Sequence, residues 1–156
     1  MLKYNQEILK MQNNNPSTKK IGEILVDMHF ATEEQVMNAL FWSKQHNQRI
    51  GATLVKQGII TIDQLKLALK EQFGLDAVTK EQISSINSDV ISVLPEDLIK
   101  MCQVMPLGID NGNLVIAMVN PNDKLAINNV IAFTGYNPII YIITSLEFQD
   151  LLQKLF

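Results

Sequence analysis

Two short motifs, each a basic residue followed by isoleucine and glycine, are the part of this sequence best suited to hold an anionic ligand. Lys20-Ile21-Gly22 recurs 29 positions later as Arg49-Ile50-Gly51. An arginine fork can hydrogen-bond a phosphate in two places, and a nearby glycine lets the backbone approach a phosphate. The tandem repeat therefore predicts two equivalent half-sites, suited to a ligand that is itself roughly two-fold. The correspondence continues at the same spacing through Leu25 and Leu54, Thr32 and Thr61, Gln35 and Gln64, Val36 and Leu65, Ala39 and Ala68, and Leu40 and Leu69.

The leucines of the repeat are compatible with two roles. Leu25, Leu40, Leu54 and Leu69 stand at helical spacing, which is more often typical of a helical core than of a ligand-facing surface. A purely structural repeat would tolerate almost any polar residue at the start of each motif, yet both copies carry a basic one. The basic residues favour binding, while the leucines leave both roles open.

Composition indicates a globular cytosolic protein. The 156 residues are 47% hydrophobic and 19% charged, with a net charge of −3. Residues 1–80 carry 10 Lys/Arg and 8 Asp/Glu, a net +2, which is too weak for a nucleic-acid surface. One cysteine, Cys102, excludes an internal disulfide framework and fits a reducing compartment. No apolar stretch is long enough to suggest membrane insertion.

Each copy of the repeat predicts a helical hairpin. A short helix begins near the motif glycine, and in the second copy Gly58 ends it. Thr32 and Thr61 then begin longer helices, because each starts a capping box in which a glutamine three residues on reaches back to the cap. Residues 1–18 are expected to be a flexible N-terminal segment, and residues 19–75 a helical tandem-motif subdomain.

The remaining residues, 76–156, predict a small α/β subdomain. Phe73–Val93 is interpreted as a transition that is loop-like around residues 82–88. The turn Asn111-Gly112 predicts a β-hairpin, and strands Leu114–Val119 and Ile139–Ile143 are expected to be parallel, joined by a right-handed crossover helix. The predicted fold class is α+β: two helical hairpins followed by a small α/β sandwich with a β-hairpin and a crossover helix. Helices are expected over residues 95 onward, Asp123–Thr134 and Thr144–Phe156.

With these motifs and elements, the chain resembles the MshEN domain, the N-terminal part of hexameric ATPases of type II secretion and type IV pilus systems. The resemblance is carried by the two motifs with their five-residue spacer and by three segments of the α/β part: Leu94-Pro95-Glu96-Asp97-Leu98, Met105-Pro106-Leu107 and Asn113–Met118. It covers roughly residues 19–156. It implies a cytoplasmic bacterial regulatory domain that binds cyclic di-GMP, one motif for each half of the dinucleotide, without a further cofactor or metal.

The resemblance also implies the ligand-binding residues. In the second copy they are Arg49, Ile50, Gly51, Leu54, Gly58, Leu65, Leu69 and Gln72. In the first copy they are Lys20, Ile21, Gly22, Leu25, Val36 and Leu40. The first copy departs from the pattern at three positions: Lys20 replaces arginine, His29 stands at the position of Gly58, and Ser43 stands at the position of Gln72. Lysine keeps the charge but lacks the planar fork, so we expect a weaker first half-site.

Two roles remain open. In one, cyclic di-GMP alters how the domain docks on an attached or partner ATPase core. In the other, the domain links that ATPase to an inner-membrane platform protein without a small ligand, through the α/β part, and is peripheral at the membrane through its partners. Catalysis is not expected, because the sequence has no Gly-x-x-x-x-Gly-Lys-Ser/Thr loop, and His29, His46 and Cys102 do not form a metal pattern.

Overall fold

Residues 16–156 are described by the computed structural model, and they divide into two units. The helical unit comprises the described residues up to Leu75 together with Thr144–Leu146. The α/β unit comprises Asp76–Ile143 and Glu147–Phe156. Most of the predicted flexible segment lies outside the described residues. Of its last three, Ser17 donates its backbone N–H to the carbonyl of Gln72 at 3.1 Å.

The helical unit consists of the two predicted hairpins. Its four helices are α1 (Ile21–Asp27), α2 (Glu33–Gln45), α3 (Ile50–Lys56) and α4 (Ile62–Phe73). Their buried apolar faces form one core, in which both motif leucines, Leu25 and Leu54, are fully enclosed. The helix α4 ends where Gly74 adopts a left-handed conformation, with φ of 66°.

The capping boxes explain why the longer helices begin where they do. The Thr32 hydroxyl accepts the backbone N–H of Gln35 at 3.2 Å, and the Gln35 side chain accepts the N–H of Thr32 at 2.9 Å. Thr61 and Gln64 repeat this exchange at 3.1 and 2.9 Å. Each pair satisfies two backbone donors that a helix N-terminus otherwise leaves free.

The α/β unit contains a three-stranded sheet in the order β1-β2-β3. The strands are β1 (Val104–Asp110), β2 (Asn113–Met118) and β3 (Pro138–Ile142). Strands β1 and β2 are antiparallel across the predicted turn, and β2 and β3 are parallel. The predicted β-hairpin and the predicted parallel pairing of the two strands on either side of α8 (Lys124–Thr134) are therefore confirmed. The helices that follow the helical unit are α5 (Lys80–Ser84), α6 (Ser88–Ile91), α7 (Glu96–Cys102), α8 (Lys124–Thr134) and α9 (Ser145–Leu155).

The structure differs in part from the predicted loop-like stretch at residues 82–88: the short helices α5 and α6 include residues 82–84 and residue 88, and only residues 85–87 are non-helical. Thr79 and Gln82 form a third capping box, with hydrogen bonds of 2.9 and 3.1 Å, and begin α5. The side chain of Asn87 accepts the N–H of Val90 at 3.1 Å and begins α6. These local caps favour single helical turns in a segment whose polar composition suggested irregular backbone.

A β-bulge bends the first strand. Pro106 pairs with Ile116 and Gly108 pairs with Val115, so Leu107 has no partner residue in the ladder. Proline is tolerated here because β1 lies at the edge of the sheet. Within residues 16–156, no helix is long and apolar enough to cross a membrane.

Candidate functional site

The two basic motif residues occupy the same structural position. Lys20 precedes α1 with φ of −73° and ψ of 154°, and Arg49 precedes α3 with φ of −72° and ψ of 140°. Both residues are exposed. The exposed guanidinium of Arg49, which can only donate hydrogen bonds, is therefore accessible to a ligand at the start of α3.

The motif glycines allow two helices in each copy to approach closely. A Cβ atom added to Gly22 would lie 2.6 Å from Cγ1 of Val36, and one added to Gly51 would lie 2.6 Å from Cδ1 of Leu65. Both glycines are buried. The same short contact in both copies means that glycine is required here by packing, whatever it contributes to binding.

Residues 29 and 58 adopt the same left-handed conformation. His29 has φ of 60° and Gly58 has φ of 72°. Their backbone N–H groups donate to the carbonyls of Val26 and Val55 at 2.9 and 3.0 Å, which closes the short helix of each copy. The backbone of His29 therefore caps a carbonyl as the Gly58 backbone does, while its imidazole lies at the surface. A left-handed conformation strains a residue that has a Cβ.

We therefore expect His29→Gly to raise the free energy of unfolding by about 0.5–1 kcal/mol. The reverse change in the second copy, Gly58→His, should lower it by a similar amount. Urea denaturation followed by circular dichroism measures both. A loss of stability in His29→Gly would mean that the imidazole makes a stabilising contact.

The other residues implied by the resemblance divide into buried and partly exposed groups. Leu25, Leu54 and Leu65 belong to the core, with at most 4% of their surface exposed. The half-buried residues pack against that core: Ile21, Val36, Ile50 and Leu69. Leu40 and Gln72 are also half-buried. Of the residues implied by the resemblance, the exposed ones are thus Lys20, Arg49 and Gly58, and the half-buried ones are distributed over all four helices of the helical unit.

Ser43 differs from its counterpart Gln72 in location. It is buried, with 4% of its surface exposed. Its hydroxyl donates to the carbonyl of Ala39 at 2.6 Å, and its oxygen lies 2.8 Å from Oγ1 of Thr53, which is also buried. Ser43 thus joins α2 to α3 inside the helical unit and is not a shortened ligand-facing residue.

The two copies also carry opposite charge, a feature that the motif comparison missed. Residues 20–43 contain one lysine and four acidic residues, a net −3, whereas residues 49–72 contain four basic and two acidic residues, a net +2. The difference in charge comes from aligned positions at which the two copies have different residues. Three acidic residues of the first copy, Glu23, Asp27 and Glu33, stand where the second copy has Ala52, Lys56 and Ile62.

The negative charge of one of these carboxylates, that of Asp27, is partly neutralised by Lys19. Lys19 donates to the carboxylate of Asp27 at 2.5 Å, and this hydrogen bond, with the negative charge of Asp27, raises the pKa of Lys19. Glu23 accepts the backbone N–H of Lys20 at 2.9 Å. Among the described residues, no group of three or more His, Cys, Asp or Glu is arranged to hold a metal ion.

Comparison with known proteins identifies relatives of this chain. A family model, the MshEN domain, matches residues 73–156. The chain is 24% identical over 135 residues to the type IV pilus assembly ATPase PilB of Myxococcus xanthus, a match that covers 86% of this chain. It covers 24% of that ATPase, so the chain spans about a quarter of the relative's length.

Two solved structures share the fold. The structure of MshE with cyclic di-GMP has a TM-score of 0.67 and 25% identity, and the match covers 88% of this chain and 99% of that one. The N-terminal domain of XpsE has a TM-score of 0.63 and 20% identity, covering 91% of this chain and 97% of that one. Because the family model matches more than half of the sequence, the chain belongs to the MshEN domain family.

Proposed function

We propose that this domain is a non-catalytic regulatory module of a type II secretion or type IV pilus ATPase system and that it binds cyclic di-GMP through its two motifs. The observation that carries the proposal is the equivalence of the two copies. Lys20 and Arg49 have the same backbone conformation, and residues 29 and 58 share the same left-handed conformation. The similarity to MshE, whose structure contains cyclic di-GMP, supports the same ligand.

The second copy is proposed as the stronger half-site. Cyclic di-GMP carries two phosphate charges, which favour the basic second copy over the acidic first copy. Arg49 can hold a phosphate or a guanine edge with two parallel hydrogen bonds, whereas Lys20 offers a point charge. The ligand would therefore be held mainly at the start of α3.

The buried and exposed members of the two motifs would then have different tasks. Arg49, Lys20 and Gln72 would contact the ligand, since their side chains are exposed or half-buried. Half-buried Ile21, Ile50, Val36, Leu40 and Leu69 would provide the apolar surface for the bases. Gly22, Gly51, Leu25, Leu54 and Leu65 would support these residues from the core, and Gly58 would shape the loop.

The proposal is tested by calorimetric titration of cyclic di-GMP into the protein. We expect saturable binding, and we expect Arg49→Ala to weaken it about ten- to a hundred-fold, since a charge-assisted hydrogen-bonded pair is lost. Lys44→Ala removes one exposed positive charge outside both motifs and serves as the matched control. Absence of binding at high micromolar ligand, or equal weakening by both variants, would contradict the proposal.

A variant that gives the first copy residues of the second copy tests whether binding can be strengthened. The double variant Lys20→Arg with His29→Gly introduces the second copy's residues at two positions that are both exposed. We expect it to strengthen binding several-fold, because it adds the guanidinium fork and relaxes the loop. Unchanged affinity in a correctly folded variant would mean that the first copy does not contact the ligand.

A second candidate function, docking between the ATPase and an inner-membrane platform protein, is favoured by the surface of the α/β unit. Three large apolar side chains there are well exposed: Met101 at 72%, Leu125 at 71% and Phe133 at 59%. If docking is the main role, Met101→Ser with Leu125→Ser should abolish co-purification with the platform protein. Arg49→Ala should then leave co-purification intact, and the converse pattern would reject this candidate.

A further inference from the structure

The first copy has an apolar groove between α1 and α2. Val26, Val36 and Met37 form its apolar lining, and its volume is about 300 Å³. Met37 is 64% exposed, and Phe41, one helical turn further along α2, is 67% exposed. Residues four apart lie on the same face of a helix, so Phe41 extends the apolar surface beyond the groove. We call the groove lined by Val26, Val36 and Met37, together with the adjoining side chain of Phe41, the first-copy groove.

Acidic residues line the same groove. Glu23, Asp27 and Glu33 complete its wall. Lys19 pairs with Asp27, whereas Glu23 and Glu33 form no ion pair with any residue between positions 16 and 156. The groove therefore combines an apolar floor with negative charge at its edge.

The second copy shows that the fold does not require this combination. Met37 and Phe41 correspond to Lys66 and Lys70, while Asp27 and Glu33 correspond to Lys56 and Ile62. Both copies nevertheless form the same hairpin with the same caps. Exposed apolar side chains that the equivalent helix replaces with lysine are not needed for packing, and such surfaces commonly mark interaction sites.

We propose that the first-copy groove docks a basic amphipathic helical segment of a partner protein. Apolar side chains of that segment would occupy the groove and cover Phe41, and its lysines or arginines would face Glu23 and Glu33. The proposal goes beyond nucleotide binding: it does not use Arg49, and of the residues assigned to the bases it shares only Val36. The negative edge disfavours an anionic lipid surface at this position, because such a surface would bring further negative charge to these carboxylates.

Docking can be measured with a designed probe. A fluorescein-labelled helical peptide with leucines at intervals of three and four and lysines elsewhere is titrated with the protein, and anisotropy is recorded. We expect binding that weakens at least five-fold in Met37→Ala with Phe41→Ala and also weakens in Glu33→Gln. The same peptide with glutamate in place of lysine should not bind.

Two controls make the result specific. Leu67→Ala truncates a side chain on α4 that is 51% exposed and should leave peptide affinity unchanged. Trp42, the single tryptophan, neighbours Phe41 and is 37% exposed, so its emission should shift when the unlabelled peptide binds. Equal binding by the wild type and the Met37→Ala, Phe41→Ala variant, or equal binding of both peptides, would overturn the proposal.

Other occupants of the groove would give different results. Concentration-dependent dimerisation that Met37→Ala with Phe41→Ala abolishes would identify a second copy of the chain instead of a partner segment. Binding to phosphatidylglycerol vesicles that depends on Met37 and Phe41 would identify a membrane surface. Either result would overturn the proposal, and neither affects the test of cyclic di-GMP binding, which depends on Arg49.

Discussion

Ser43→Gln is expected to lower the free energy of unfolding by about 3 kcal/mol, although it introduces the residue that the second copy carries. Ser43 is 4% exposed, and its hydroxyl is hydrogen-bonded to the carbonyl of Ala39. Glutamine would force a larger side chain into a filled space, which costs about 1–3 kcal/mol. It would also bury an amide without matching partners and disturb the contact with Thr53, which costs about 1–3 kcal/mol more.

The reverse change in the second copy is the control. Gln72 is half-buried at the end of α4, so Gln72→Ser should alter the free energy of unfolding by about 0.5 kcal/mol or less. Urea denaturation followed by far-ultraviolet circular dichroism compares the two variants. Equal stability of Ser43→Gln and the wild type would mean that the side chain at position 43 can turn toward solvent, as expected for a ligand-binding position that has lost its original residue.

Gly51→Val is expected to lower the free energy of unfolding by about 2–3 kcal/mol. The added Cβ would lie 2.6 Å from Cδ1 and 3.1 Å from Cδ2 of Leu65. Leu65 is 4% exposed and cannot turn toward solvent to relieve the contact. Gly22→Val should cost less, because Val36 is only half-buried and has more freedom to move.

A double variant separates this clash from other effects of valine in a helix. Leu65→Ala removes the atoms that the new side chain would meet, so Gly51→Val with Leu65→Ala should be more stable than the sum of the single changes predicts. Lys56→Val, on the exposed side of α3, should change the free energy of unfolding by about 0.5 kcal/mol or less. Additive single effects would rule out the proposed contact.

The sequence was sufficient to predict the architecture because its local signals agree with one another. The capping boxes at Thr32 and Thr61 position the longer helices, and Asn111-Gly112 positions the β-hairpin. Each signal acts within a few residues, so the physical cause of each element is visible in the sequence. The short helix α5 has the same kind of signal at Thr79, and its polar surroundings obscured it.

The tertiary location of the site residues could not be predicted in the same way. Helical spacing places Leu40 and Leu54 on apolar faces, yet only the packing of the hairpins makes Leu54 fully buried and Leu40 partly exposed. The sequence shows only that Ser43 stands where the second copy has Gln72, whereas in the structure Ser43 joins two helices through a hydrogen bond to Thr53, ten residues away. Such contacts depend on the approach of α2 to α3, which no local pattern encodes.

The two motifs are equivalent in backbone conformation, and we propose that they are unequal in ligand binding. The most direct test compares Arg49→Ala with Lys20→Ala in titrations with cyclic di-GMP, since both residues occupy the same position before their helices. We predict that Arg49→Ala weakens binding at least ten-fold and that Lys20→Ala weakens it by about two- to five-fold. Equal losses in the two variants, or a larger loss in Lys20→Ala, would contradict the claim.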